Sequence, residues 1–293
     1  MDTRRAREIL GFFRVTTLHD AVAVHEARVR YTSIRPSDRR ERKCEMENES
    51  QRMPGERVFL SAEWRHLVML NYEVDPGLLA KYVPPGTELD AFAGRVYVSL
   101  VGFRFLHTKL FGILPIPFHG EFEEVNLRFY VRRRDPQGDR RGVVFIREIV
   151  PKRAMAHVAR LAYGENYVRY PMRHAVRTNG AGITTEYQWQ LGRTWCRLFA
   201  EGLGSPSYAA GGSLEQFITE HYWGYSARRN GGSLEYHVSH VPWRVWARTT
   251  AGFGGDSRSL YGSDLAAILR RSPDSAFIAD GSPVLVFVGR PVS

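Results

Sequence analysis

Two adjacent cations, Lys152 and Arg153, stand directly behind Pro151 at the end of an apolar run, in the stretch REIVPKRAMA (147–156). An amine held beside a fixed cation finds its protonated form disfavoured, so its pKa falls and a neutral nucleophile becomes available. In a dry pocket that amine can condense with a ketone to a Schiff base and withdraw electrons from an adjacent carboxylate-bearing carbon. On this reading Lys152 is the nucleophile, Arg153 tunes it and Glu148 positions either one. Proline cannot donate to a sheet ladder, so Pro151 also marks a strand end, and Lys-Arg beside a strand end is commonly a solvated corner. The dipeptide alone does not choose between the two.

Two further groups carry polar atoms on apolar patterns. In Glu124–Arg132 the residues Val125, Leu127, Phe129 and Val131 form one face of a strand, and Glu124, Asn126, Arg128, Tyr130 and Arg132 form the other. In a single-faced sheet that second face is the wet side; in a barrel large enough to enclose a ligand, Asn126, Arg128 and Tyr130 point inward. The segment Ser213–Tyr222 opens with a capping box, Ser213 to Gln216, and places Leu214, Phe217, Ile218, His221 and Tyr222 on one helical stripe. His221 and Tyr222 there either pack with satisfied hydrogen bonds or line a ligand cavity. His237 and His240, three apart on a strand, face opposite sides, so no shared metal is expected. No phosphate loop, G-x-G-x-x-G, G-x-S-x-G or H-E-x-x-H pattern occurs, and nothing implies a cofactor.

The elements that must position these groups are mostly strands: Val96–Phe105, Glu124–Arg132, Val143–Val150, Thr184–Leu191, Thr194–Ala200, Leu234–Ser239, Trp243–Arg248 and Val284–Gly289. Helices are expected after Asp75 with Pro76 in the first turn, over Ala154–Tyr163, after Ser213, and over Asp264–Arg271 behind Ser263. Strands dominate and helices are inserted, which predicts a β-rich α+β barrel or sandwich and not a doubly wound sheet. Residues 33–57 are almost wholly polar and cannot offset ordering entropy, so residues 1–57 read as a disordered extension, with Met46 or Met53 as alternative starts. The folded domain is expected over 58–293.

The chain of 293 residues carries 41 Lys+Arg against 31 Asp+Glu, a formal charge of +10, which favours an anionic partner. The densest clusters, Arg132-Arg133-Arg134 and Arg140-Arg141, flank a Pro-Gln-Gly turn. No recognised motif accompanies the charge, so nucleic-acid binding is not expected. Two cysteines, Cys44 and Cys196, suit a reducing cytoplasm, and no run of about 18 apolar residues exists to span a membrane.

Several long segments together resemble the YqjF-like family of uncharacterised bacterial proteins: FLSAEWRHLVMLNYEVDPGLL (59–79), GRVYVSLVGFRF (94–105), FEEVNLRFYV (122–131), REIVP (147–151) and LEQFITEHYWGY (214–225). The resemblance covers residues 58–293. That family is similar in fold to acetoacetate decarboxylase, which implies a closed β-barrel with a buried cavity and a few inserted helices. The decarboxylase's catalytic segment runs arginine, glutamate, a spacer, then proline and two lysines. Here Arg147-Glu148 precedes Pro151-Lys152-Arg153 with a spacer two residues shorter, so the resemblance gives Lys152 the nucleophile's place and Arg153 that of the tuning cation. The run Leu114–His119 stands where the enzyme has a similar apolar, proline-containing stretch. Where the enzyme carries a glutamate just before it, this chain has His107, Thr108 and Lys109, leaving Glu124 and Glu148 as the carboxylate candidates.

Three functions follow as expectations: a cavity protein for a small anionic or carbonyl metabolite; a Schiff-base lyase or decarboxylase of a keto acid using Lys152; or a basic surface for an anionic polymer or lipid. A small-molecule ligand is the expected partner, and a homo-oligomer stays open.

Overall fold

A computed structural model describes residues 52–115, 120–136, 138–151 and 166–292. Lys152, Arg153, the helix expected over 154–163 and most of the expected N-terminal extension lie outside the described residues.

The chain runs β1 (Val58–Val74), two short 3-10 turns (Pro76–Leu78 and Ala80–Tyr82), β2 (Glu88–Leu89), β3 (Val96–Leu110), β4 (Leu114–Pro115), β5 (Phe122–Arg133), β6 (Arg140–Val150) and β7 (Tyr167–Arg169). It continues with β8 (Met172–Asn179), β9 (Gly182–Leu191), β10 (Thr194–Leu203), β11 (Ser207–Tyr208), α1 (Leu214–Thr219), β12 (Trp223–Ala227) and β13 (Ser233–His240). Then follow β14 (Arg244–Trp246), β15 (Thr249–Gly254), α2 (Arg258–Leu269), β16 (Ser275–Phe287) and β17 (Arg290–Val292). The protein is β-rich with few helices, as its pattern predicts. Among the described residues no helix is long and apolar enough to cross a membrane.

In the main sheet, pairing runs from β16 through β1, β3, β5, β6 and β12 to β13. Strand β13 pairs with β16 again, Val238 opposite Val286 and His240 opposite Val284, so the path returns to where it began. Most of these pairs are antiparallel, but β6 and β12 run parallel. A second sheet, ordered β15-β10-β9-β8, covers part of the outer face. It can approach because Gly102 on β3 lacks a side chain: a Cβ there would come within 2.8 Å of both Leu198 and Tyr187.

Two apolar clusters result. The outer one lies between the main sheet, the second sheet and α2, and includes Leu70, Leu100, Leu127, Phe129, Ile146, Trp189, Leu198 and Leu265. The inner one is richer in aromatics, with Phe59, Phe103, Phe105, Phe122, Tyr236 and Trp243. β5 feeds both, which is why its alternation is so regular in the sequence: Val125, Leu127, Phe129 and Val131 fill the outer cluster.

Helical expectations change in detail. Asp75 does cap, accepting from Gly77 N at 2.7 Å, but the turns behind it are 3-10 and not a helix. Ser213 accepts from Gln216 N, while the Gln216 side chain reaches back to Gly212 N. α1 then stops at Thr219, because Glu220 leaves helical geometry at φ −103°, ψ 56°. His221 and Tyr222 therefore follow the helix and do not belong to its stripe. α2 begins upstream of the expected Asp264, and Gly262 at φ 80° breaks it into two segments, the second starting near Ser263. Contacts also begin ahead of Val58: Glu56 reaches His237 Nδ1 at 3.0 Å, and the Arg57 carbonyl accepts from Val288 N.

Candidate functional site

A cavity of about 100 Å³ opens among the inner cluster, walled by aromatic rings that include Phe103, Phe105, Trp64, Trp223, Tyr236 and Trp243. Into it the main sheet projects a small set of polar side chains. β5 contributes Glu124, Asn126 and Arg128, so the polar face of that strand is the cavity face and not a wet exterior. β6 contributes Val143, Phe145, Glu148 and Val150. The change of parity along β6 has a structural cause. Pairing with β5 slips at one point, Leu127 facing Arg147 and Arg128 facing Phe145, with Ile146 as the extra residue. This bulge exchanges inside for outside, so Ile149 joins the outer cluster and Glu148 enters the cavity opposite Asn126.

Arg128 is buried, with a long 3.5 Å contact from one terminal nitrogen to the Ile218 carbonyl and no protein partner for Nε. Its guanidinium carbon sits 5.8 Å from the centre of the Tyr130 ring. Among the described residues that line the cavity it carries the only permanent positive charge. Glu124 accepts from Asn126 Nδ2 at 2.9 Å. Burial pushes its carboxyl up to about 7, against the downward pull of Asn126, Tyr167 and Arg128.

His221 reaches the cavity wall from the turn after α1. Its Nε2 lies 3.1 Å from Asp90 Oδ2, an oxygen that also accepts from Arg141 Nε at 2.7 Å. Burial would raise Asp90, but the bonds from His221 and Arg141 outweigh it and hold the carboxylate below its ordinary value. Burial drives His221 itself down to about 4 despite Asp90's opposing pull, so the ring is neutral. His240 also lines the cavity, stacked on Trp243 at 4.2 Å between ring centres, with Nδ1 3.0 Å from the Val241 carbonyl. It too is pushed by burial to about 4.

The remaining candidates are placed differently. The Tyr130 hydroxyl is taken up by Ser99 Oγ at 2.6 Å, and Ser99 in turn donates to Asn71, so Tyr130 offers the cavity's neighbours a ring and not a free hydroxyl. Tyr222 is not among the lining residues; its ring packs on His240 at 4.8 Å. His237 faces away from His240, stacked on Phe287 at 5.1 Å. Among the described residues no cluster of three or more His, Cys, Asp or Glu could hold a metal ion. The basic clusters are tied to carboxylates: Arg132 and Arg134 to Glu88, Arg133 and Arg140 to Glu235 and Asp135, and Arg141 to Asp90. Asp90 escaped the sequence reading because its partner lies 131 residues away. In the sequence His240 stands out only as a possible metal ligand beside His237.

Residues 61–283 match the profile of the DUF2071 family, described as an uncharacterized conserved protein. The chain belongs to that family. A relative within reach is the uncharacterized protein YqjF of Bacillus subtilis, 24% identical over 181 residues, which span 61% of this chain and 72% of YqjF. Solved structures share the fold at low identity. Acetoacetate decarboxylase from Legionella pneumophila aligns at a TM-score of 0.56 and 14% identity, over 89% of this chain and 98% of its own. The enduracididine biosynthesis enzyme MppR, complexed with pyruvate, aligns at 0.56 and 13%, over 83% and 92%. An acetoacetate decarboxylase-like enzyme from Sphingomonas wittichii aligns at 0.56 and 13%, over 80% and 94%. The resemblance carried by the sequence blocks is thus matched in family and in fold.

Proposed function

We propose that the main sheet closes into a barrel whose lumen is the cavity, and that the cavity holds a small carboxylate or carbonyl metabolite with Arg128 as the anion's partner. The observation that carries this reading is the buried guanidinium whose Nε has no protein partner. A charge removed from water is stable only when paired and hydrogen-bonded. Below about pH 7 Glu124 keeps its proton and is a weak counter-ion, so a bound carboxylate, held by two parallel N–H bonds, completes the site. Asn126, held by Glu124, supplies polar surface beside it, and the aromatic wall excludes water. Titration calorimetry of the full chain with pyruvate, acetoacetate and their reduced counterparts tests this. Saturable binding that Arg128→Met removes supports it; equal binding by the variant sinks it.

A second reading adds chemistry. Glu148 and Val150, four and two residues before Lys152, both line the cavity, and a fold neighbour binds pyruvate. The Lys152 amine would attack a ketone carbon, water would leave, and the protonated imine would take up the electron pair as carbon dioxide departs from an adjacent carbon. Borohydride trapping with acetoacetate, read by peptide mass spectrometry, decides it. A reduced adduct on Lys152, absent from Lys152→Arg, supports the lyase; no adduct while a known Schiff-base enzyme labels in parallel removes it.

A further inference from the structure

We propose that the cavity is bipolar and selects monocarboxylates whose far end is a short unbranched alkyl chain, the tail lodging against an aromatic box of Trp64, Phe103, Phe105, Phe122 and Trp243. The inference rests on the Arg128 reading of the same cavity and names the class of acid that it takes.

The register of three strands sets the two poles apart. Arg128 on β5 faces Ser99 on β3, and Ser99 faces Asn71 on β1, so these residues share one level of the main sheet. Phe122 on β5 faces Phe105 on β3, and Phe105 faces Trp64 on β1, which makes a second level further along the same strands. The rings of that second level touch one another. Trp64 lies 5.4 Å from Phe103, 5.9 Å from Phe105 and 6.2 Å from Trp243, centre to centre, and Phe105 stacks on Phe122 at 4.5 Å. All five rings line the same cavity as Arg128. The indole N–H of Trp243 donates to Ser282 Oγ at 3.0 Å and that of Trp64 is buried, so both indoles present ring surface and not a donor.

A ligand whose carboxylate meets Arg128 therefore points its other end at hydrocarbon. An alkyl tail gains there by leaving water, whereas a hydroxyl or a second carboxylate loses its hydration with no bond in return. Charge acts in the same direction. Glu124, beside Phe103, and Glu148, across from Asn126, line the cavity between the two levels, so a second carboxylate passes acids and finds no second cation among the described lining residues. Volume sets the length. The cavity measures about 100 Å³, less than the roughly 150 Å³ of an apolar cavity that takes up benzene, so the tail is a chain of a few carbons.

The test is calorimetric titration of the full chain with acetate, butyrate, hexanoate and octanoate, and with 4-hydroxybutyrate and succinate as polar-ended counterparts of butyrate. Affinity should rise by up to about fourfold per methylene from acetate through butyrate, and the rise should end by octanoate, when the cavity is full. Butyrate should bind at least about tenfold tighter than 4-hydroxybutyrate, with succinate weakest. Phe105→Leu keeps the wall apolar and frees volume, so its best-bound acid should be a longer one than that of the unmutated chain. No gain from acetate to hexanoate, or polar-ended acids binding as well as butyrate, overturns the apolar pole; the Arg128 reading stands in that case if Arg128→Met still removes binding. A preferred length that stays put in Phe105→Leu, with unfolding curves showing the variant folded, places the tail elsewhere and overturns the aromatic box. If no acid binds, or if Arg128→Met binds them all equally, both readings fall.

Discussion

The two faces of β5 are a residue apart and chemically opposite. Outward, Val125, Leu127, Phe129 and Val131 are fully buried in a cluster of aliphatic and aromatic packing. Inward, Glu124, Asn126 and Arg128 are also buried but ionisable or polar, with Arg128 incompletely bonded. Burial of the first kind stabilises the fold at roughly 25 cal/mol per Å² of apolar surface. Burial of the second kind costs free energy unless a partner completes it. A protein that keeps such a face has a use for it, and the contrast separates the residues that hold the structure up from those that would hold a ligand.

Four experiments press on that contrast. Phe129→Ala, on the outer face, should cost about 3–5 kcal/mol of stability through the cavity it leaves, measured by denaturant unfolding. A loss under about 1 kcal/mol would mean that the outer cluster is not the structural one. Next, Arg128→Met should lower the affinity for small carboxylates at least tenfold while the unfolding midpoint stays level or rises, since an incompletely paired buried charge gives way to apolar volume. A collapse of stability there would make Arg128 a structural residue and erase the distinction between the faces.

The third lies in pH. Glu124's folded pKa, about 7, is above its ordinary 4.5, so its contribution to stability is full below about 4.5 and is lost as pH rises through about 7. Glu124→Gln should therefore gain about 1–3 kcal/mol over the unmutated chain at pH 8 and little at pH 5, read from unfolding curves at both. Carboxylate affinity should rise on acidification through pH 7 as Glu124 takes up its proton, and Glu124→Gln should flatten that slope. His221 and His240 act in the other sense. Their depressed values, about 4, give stability that is present above about 6.5 and lost as pH falls towards 4. The smallest effect is expected at Tyr222, which packs on His240 outside the cavity wall: Tyr222→Phe should stay within about 0.5 kcal/mol in stability and leave carboxylate binding unchanged in calorimetry.

How much of this was legible follows from which rules are local. The alternation in β5 shows two faces, since side chains on a strand point oppositely in turn. It does not show which face is inside, because that depends on the other strands that complete the sheet. Glu148 was harder. Strict alternation from Val143 groups Val143, Phe145, Arg147 and Ile149 together, and only the slip opposite Leu127 and Arg128 turns Glu148 inward. Nothing in the letters of β6 marks a bulge, since no glycine sits at Ile146. β1 and β8 are not among the expected strands, one being buried along most of its length and the other largely exposed on both sides, so neither alternates cleanly. The cap at Ser213 is set by neighbours three residues apart and was readable; the end of α1 at Glu220 was not, because the apolar spacing continues past it.

The pairing of β1 with β16 has a consequence in time. Val58 lies opposite Phe287 and Asn71 opposite Ser275, so the first long strand described is zipped to one made more than two hundred residues later. During synthesis the edge of β1 away from β3 has no strand partner until β16 has been made. Such distant pairing makes folding slow and leaves a long apolar edge exposed in the interval. An unpaired edge of that kind is a template for aggregation, so β16 closes off a hazard as well as the sheet.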